Sequence, residues 1–195
     1  MRRLLPVAAL FALPHPALAH ITGAGSGFGA GFTHPLLGPD HLVAMVAVGL
    51  WGAQLGNPAI WVLPIAFPLV MAAGGLIGIS GAEMPFPDLV VALSGVALGL
   101  VVALRVRIAF WAAAIIVAIF ALFHGYAHGK EMPAAADAES FAIGFVVATG
   151  LLHLVGISIG TIDRYRAGAA AIRCLGAAIA AVGCFFVVST LGGAE

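Results

Sequence analysis

Polar positions in this chain fall in short clusters separated by long apolar runs, and from Leu42 to Ala82 no charged residue occurs at all. Cutting at the charges and at Gly/Pro clusters leaves six apolar segments, at about 39–55, 59–80, 88–104, 108–127, 140–161 and 172–191. Each is near the roughly 17–25 residues that a helix needs to cross a bilayer. The first two are one uninterrupted stretch, divided at Gly56-Asn57-Pro58 because that tripeptide is a strong turn signal. The pattern predicts an all-α fold: a polytopic membrane helix bundle of six transmembrane helices. Glycines recur inside the segments as Gly74-Gly75-Gly78, Gly95-Gly99 and Gly156-Gly160. Small residues four apart let helix backbones approach closely, so tight helix contact is the preferred reading over a hinge.

Ahead of these segments, residues 1–19 have a basic start (Arg2, Arg3), an apolar run from Leu4 to Leu13 and an Ala17-Leu18-Ala19 ending. That is the pattern of a cleavable signal peptide, and its apolar run is too short to span. Cleavage leaves residues 20–195 as one transmembrane domain with His20 at its start, where a free amine beside an imidazole would chelate. An uncleaved anchor is the rival reading. Arg105 and Arg107 separate the third and fourth segments, and Arg164 and Arg166, with Arg173 close behind, separate the fifth and sixth. The positive-inside bias puts both loops in the cytoplasm. The loop after the fourth segment sets Glu131, Asp137 and Glu139 against Lys130, which suits the outer side. The expected location is the bacterial cytoplasmic (inner) membrane, with both mature termini on the periplasmic side. Segments one to three and four to six then run antiparallel, as in a 3+3 inverted repeat. Little besides His-Gly punctuation aligns between the halves.

Composition narrows the partners. Hydrophobic residues make up 63% of the 195, charged residues 8%, and the formal net charge is zero, against about 25% charged in soluble domains. Mean hydropathy is +1.15. The lipid bilayer is the surrounding medium, and without a Lys/Arg run nucleic acid is a poor partner. Cys174 and Cys184 lie in one apolar segment with no CxxC pair, and read as small packing residues.

The titratable groups are one-sided. His34, Asp40 and His41 lie at the outer end of the first segment, and His124 and His128 at the outer end of the fourth, followed by Glu131. His153 is about thirteen residues into the fifth, near the bilayer middle at roughly 1.5 Å per residue. Ionisable groups at membrane depth are costly and mark function by default. In FHGYAHGKE, His124 and His128 are four apart, so a helix puts both imidazoles on one face. The competing reading is a pair of interfacial histidines capping a helix C-terminus. In HPLLGPDH, Pro39 and Asp40 are ordinary helix-start residues, yet a start signal requires neither His41 nor His34 across a Gly/Pro-broken turn. Irregular backbone at this depth must be buried in protein or line a watery cavity. Met45, one turn below His41, is a packing residue or a soft ligand; His153 is a core histidine bonded to Thr149 or a carbonyl, or part of a path. Glu83 and Asp88 by default face water. Imidazole and carboxylate without thiolate suit a borderline divalent ion, nickel, cobalt or zinc.

HPLLGPDHLVAM, WVLPIAFPLVMAAGG, FHGYAHGKEMP and ATGLLHLVGISIG, in that order over nearly the whole mature chain, resemble the HupE/UreJ family of nickel permeases. The first motif is a one-residue-longer relative of the His-x4-Asp-His signature of the wider nickel/cobalt transporter group. The resemblance implies secondary transport of Ni2+, with Co2+ or Zn2+ as alternatives, supplying hydrogenase or urease maturation, and no permanent cofactor. It gives functional weight to His34, Asp40, His41, Phe67, His124, His128 and Glu131. Where the family ends an LPxVE-like motif in Glu, this chain has Asp88, with the same charge and a shorter reach.

Three functions are weighed. In a metal-ion permease, an outer rim of His34, Asp40, His41, His124 and His128 captures the ion and passes it inward past His153. No Walker A pattern occurs, so the drive is a gradient, the membrane potential or a partner. The alternative is a haem-binding membrane cytochrome with His41 and His124 as axial ligands; beside an apolar macrocycle Asp40 and Glu131 are unhelpful. A membrane metallohydrolase lacks an HExxH motif. The permease is the preferred reading, and the chain is not expected to be an enzyme.

Overall fold

A computed structural model describes residues 27–132 and 137–193. The expected signal peptide, residues 1–19, and His20 lie outside the described residues. Every regular element among the described residues is helical: α1 (Phe28–Leu37), α2 (Pro39–Leu55), α3 (Ala59–Ile79), α4 (Pro87–Ala103), α5 (Phe110–Glu131), α6 (Ala138–Gly160), a 3-10 turn (Thr161–Arg164) and α7 (Arg166–Gly192).

Helices α3, α5, α6 with its 3-10 extension, and α7 are each long and apolar enough to cross a membrane. Helices α1 and α2 reach that length only as a pair bent by 84°. Helix α4 has 17 residues, about 25 Å of helix against a hydrocarbon core of about 30 Å. By length and composition the described residues therefore hold four candidate spans, or five if the bent pair is one, against the six expected.

The residues are arranged inside out relative to a soluble protein. Trp61, Ile65, Leu69, Trp111, Ile115, Leu151, Phe185 and Val188 are exposed on the outside, while Gln54, Ser94, His124, Thr149 and His153 are buried. Only a hydrocarbon solvent makes that distribution favourable, because there the apolar exterior costs nothing and polar groups seek protein.

Two local features differ from the sequence expectation. His34 is on a helix and not on a broken turn: α1 runs through Pro35, and the break comes at Gly38. Pro35 gives up a single intrahelical bond, to Gly31. Docking of α1 on α6 offsets that loss: a Cβ on Gly31 would strike the Phe141 carbonyl, and one on Gly144 the Phe28 carbonyl, so both glycines permit close contact. Second, α5 continues past Gly129 to Glu131, which keeps Glu131 on the same helix as His124 and His128.

The arginine loops meet at one end. Arg105 pairs with Asp163 at 2.5 Å, Trp51 Nε1 donates to the Val106 carbonyl at 3.0 Å, and Arg173 Nε donates to the Ala103 carbonyl at 3.1 Å. The histidines of α1, α2 and α5 lie toward the other. Exchanging the two expected halves turns the α3/α5 contact into α6/α2 and leaves α4/α7 unchanged, whereas among the described residues α2 packs on α3 and α4 more closely than α5 packs on α6 and α7.

Candidate metal centre

Five helices contribute to one cluster. At the surface, His34 from α1 has its Nε2 at 3.4 Å from Glu131 Oε2 of α5, and the side chains are 32% and 56% exposed. Ligand atoms of His34, His128 and Glu131 lie within 4.8 Å of one another. The His34 ring is 4.8 Å from His128, His128 is 4.2 Å from His41 of α2, and His41 is 5.2 Å from His124, all between ring centroids. Below them the Phe67 ring of α3 stands 5.5 Å from His124 and 5.3 Å from His153 of α6. The order from surface to interior is Glu131 and His34, His128, His41, His124, Phe67, His153.

The expected rim is therefore a shaft. His34, Asp40 and Glu131 are at least partly exposed, while His41, His124 and His128 are buried. The cause is the bend at Gly38, which lets α1 lie beside the N-terminal half of α6 with His34 at the cluster's mouth. Phe141 and Phe145 of α6 complete the wall, with Phe145 4.3 Å from His128 and Phe141 5.9 Å from His34.

The hydrogen bonding is incomplete in a patterned way. His124 Nδ1 is 2.9 Å from the Phe120 carbonyl, which fixes the proton there and leaves Nε2 as the lone-pair nitrogen. His124 Nε2, His41 Nδ1 and both ring nitrogens of His128 and of His153 are buried without a hydrogen-bond partner among the described residues. A buried polar group left unsatisfied costs about 1–3 kcal/mol, and such groups are few in native proteins. Four histidines of the cluster, His41, His124, His128 and His153, share that defect among the described residues.

Carboxylates surround the mouth. Asp40 Oδ2 is 3.7 Å from His41 Nε2, and Asp40, His41, Asp88 and Glu131 line a partly open cavity of about 200 Å³ bordered also by Phe186 and Thr190 of α7. Asp88, which faces water by default and which the family resemblance makes a secondary candidate, shares this cavity with Asp40 and Glu131. Its position depends on Tyr126, a residue the sequence reading passed over: the buried hydroxyl donates to the Ala82 carbonyl at 2.9 Å and accepts from Met84 N–H at 3.0 Å. That clasp holds the α3–α4 loop against α5. A tyrosine inside FHGYAHG was the available signal. Met45 is fully buried in the apolar core.

The sequence family described as HupE / UreJ protein matches residues 8–186. Protein HupE of Rhizobium leguminosarum bv. viciae is 43% identical over 180 residues, covering 92% of this chain and 94% of that protein. No solved structure matches. A family match over almost the whole length, together with a relative this similar, means that the chain belongs to the HupE / UreJ family.

Proposed function

We propose that this chain is a permease that admits a divalent metal ion, Ni2+ with Co2+ or Zn2+ as competitors, across the cytoplasmic membrane, and that it serves hydrogenase or urease maturation. The observation that carries the reading is the line of buried imidazoles with unpartnered nitrogens, running from an acid-lined mouth toward the middle of the bundle. Carboxylates at the mouth draw the hydrated cation in and offset its charge. Imidazoles then replace its waters, each successive ring being 4.2–5.2 Å from the last between His34 and His124. Nitrogen and oxygen donors without thiolate favour a borderline ion over copper(I) or calcium.

The drive needs no nucleotide. Membrane potential supplies about 2.3 kcal/mol per charge per 100 mV, so an entering divalent ion gains about twice that. The haem reading is disfavoured because the His41 and His124 rings meet edge to face at 5.2 Å, and a porphyrin between them would have to part both helices. The test is uptake of labelled nickel by cells that express the chain, with cobalt, zinc and manganese as competitors. Saturable uptake blocked by cobalt supports the reading. Uptake no greater than in cells without the chain, or a Soret band in the purified protein, contradicts it.

A further inference from the structure

Beyond Phe67 the residues form a second, smaller group of donors. His153 and Thr149 are one turn apart on α6, so they share a face. Both are fully buried, and His153 Nδ1, His153 Nε2 and Thr149 Oγ1 all lack hydrogen-bond partners. Opposite them α3 carries Pro64 and Pro68. A proline has no N–H, so residue 68 donates nothing to the carbonyl four residues earlier, and that carbonyl belongs to Pro64. The Pro64 carbonyl lies beside the His153 ring but outside hydrogen-bonding geometry. One imidazole, one hydroxyl and one freed carbonyl therefore sit together in a hydrocarbon interior where each alone is costly.

We infer that His153, Thr149 and the Pro64 carbonyl form an inner divalent-metal station, divided from the outer imidazole cluster by the Phe67 ring. The inference rests on the permease reading and adds a second resting place to it. Chemistry sets a gradient between the two. The outer cluster offers several nitrogens and carboxylates, whereas the inner station offers one nitrogen and neutral oxygens, so it holds the ion more weakly and releases it more readily. Conduction needs sites that bind without trapping. Phe67 is fully buried and touches an imidazole on either side, 5.5 Å to His124 and 5.3 Å to His153. An ion crossing from one group to the other must displace that ring, which makes Phe67 the partition and its rotation the crossing step. The PxxxP spacing in LPIAFPLV then has a single explanation, since it frees the carbonyl on the same helix that carries the partition.

The experiment is equilibrium binding of nickel alone to the full-length chain in lipid nanodiscs, paired with nickel flux into proteoliposomes. His153→Gln and Thr149→Val are compared with wild type and with a triple variant, His34→Gln/His128→Gln/Glu131→Gln, that removes the mouth. Adding His153→Gln to the triple variant should remove one further ion per chain, because the inner station is independent of the mouth. His153→Gln alone should bind one ion fewer per chain than wild type and lower flux at least about tenfold. Thr149→Val, nearly isosteric, should weaken the inner event about tenfold while the protein unfolds at the wild-type temperature. Wild-type flux that both single variants match, with unchanged binding, overturns the inner station and leaves the permease reading standing. Wild-type liposomes that admit no nickel overturn both.

Discussion

An imidazole binds a metal through a lone pair, and His41, His124, His128 and His153 are distinguished by buried ring nitrogens that find no hydrogen-bond partner among the described residues. Replacing His41, His124 or His128 by alanine removes a donor from the middle of the line, and Asp40→Ala removes the acid beside His41. Each should reduce nickel uptake by about 10–100-fold or more with membrane abundance unchanged, read by labelled uptake and immunoblot. Cys184→Ala should leave uptake unchanged, because that thiol is exposed on the outer surface of α7, away from the donors. Ligation requires deprotonated nitrogens and carboxylates, so uptake should fall as the external medium is acidified and recover on return to neutral pH. A rise in acid would contradict imidazole ligation. At this scale the sequence was most informative: His-x3-His puts two rings on one face of any helix, and Asp40-His41 pairs an acid with a ring wherever it lies. Phe145 was not legible, and Thr149 was legible only as a neighbour of His153, because an apolar helix tells nothing of which of its faces meets which neighbour.

The helices hold those residues by close backbone contact more than by side-chain interlock. A Cβ on Gly125 of α5 would strike the Met71 carbonyl of α3, and one on Gly74 would strike the Leu122 carbonyl, so α3 and α5 touch backbone to backbone beside His124 and Phe67. Gly125→Ala should therefore destabilise the protein by about 1–3 kcal/mol, as overpacking does. Gly150→Ala, whose Cβ meets nothing within 4 Å, should be neutral or stabilise it by up to about 1 kcal/mol. Thermal unfolding in detergent separates the two; equal effects would contradict the close seam. Gly38→Ala acts differently. Its Cβ would lie 2.8 Å from His41 Cδ2 and 3.3 Å from Asp40 Oδ1, so it should weaken nickel binding while changing the unfolding temperature little. Six apolar runs marked helices correctly, since each is bounded by charges, Gly or Pro. Helix α1 was missed because FGAGFTHPLL is rich in glycine and holds a proline, and only its contact with α6 makes that sequence helical.

Across the described residues, the acids other than Asp163 and the imidazoles of α1, α2 and α5 lie toward one end and the arginines at the other. We read the first end as outer, from the arginine loops joined through Arg105 and Asp163. Cysteines placed at Ala82, near the shaft's mouth, and at Ala109, in the arginine loop, in a Cys174→Ser/Cys184→Ser background should behave oppositely: a membrane-impermeant maleimide added to intact cells should label only the first. That two arginine loops share an end was legible from spacing alone. The shaft was not, because its order of rings depends on an 84° bend at a Gly-Pro pair whose angle no pattern encodes. In the proposed permease, imidazoles from separate helices bind one ion, and X-ray absorption at the nickel edge of the loaded protein tests that directly. The expected spectrum has nitrogen and oxygen neighbours with the multiple-scattering signature of more than one imidazole, diminished in His41→Gln and in His128→Gln. A spectrum of fully hydrated nickel, or one that both variants leave unchanged, would contradict it.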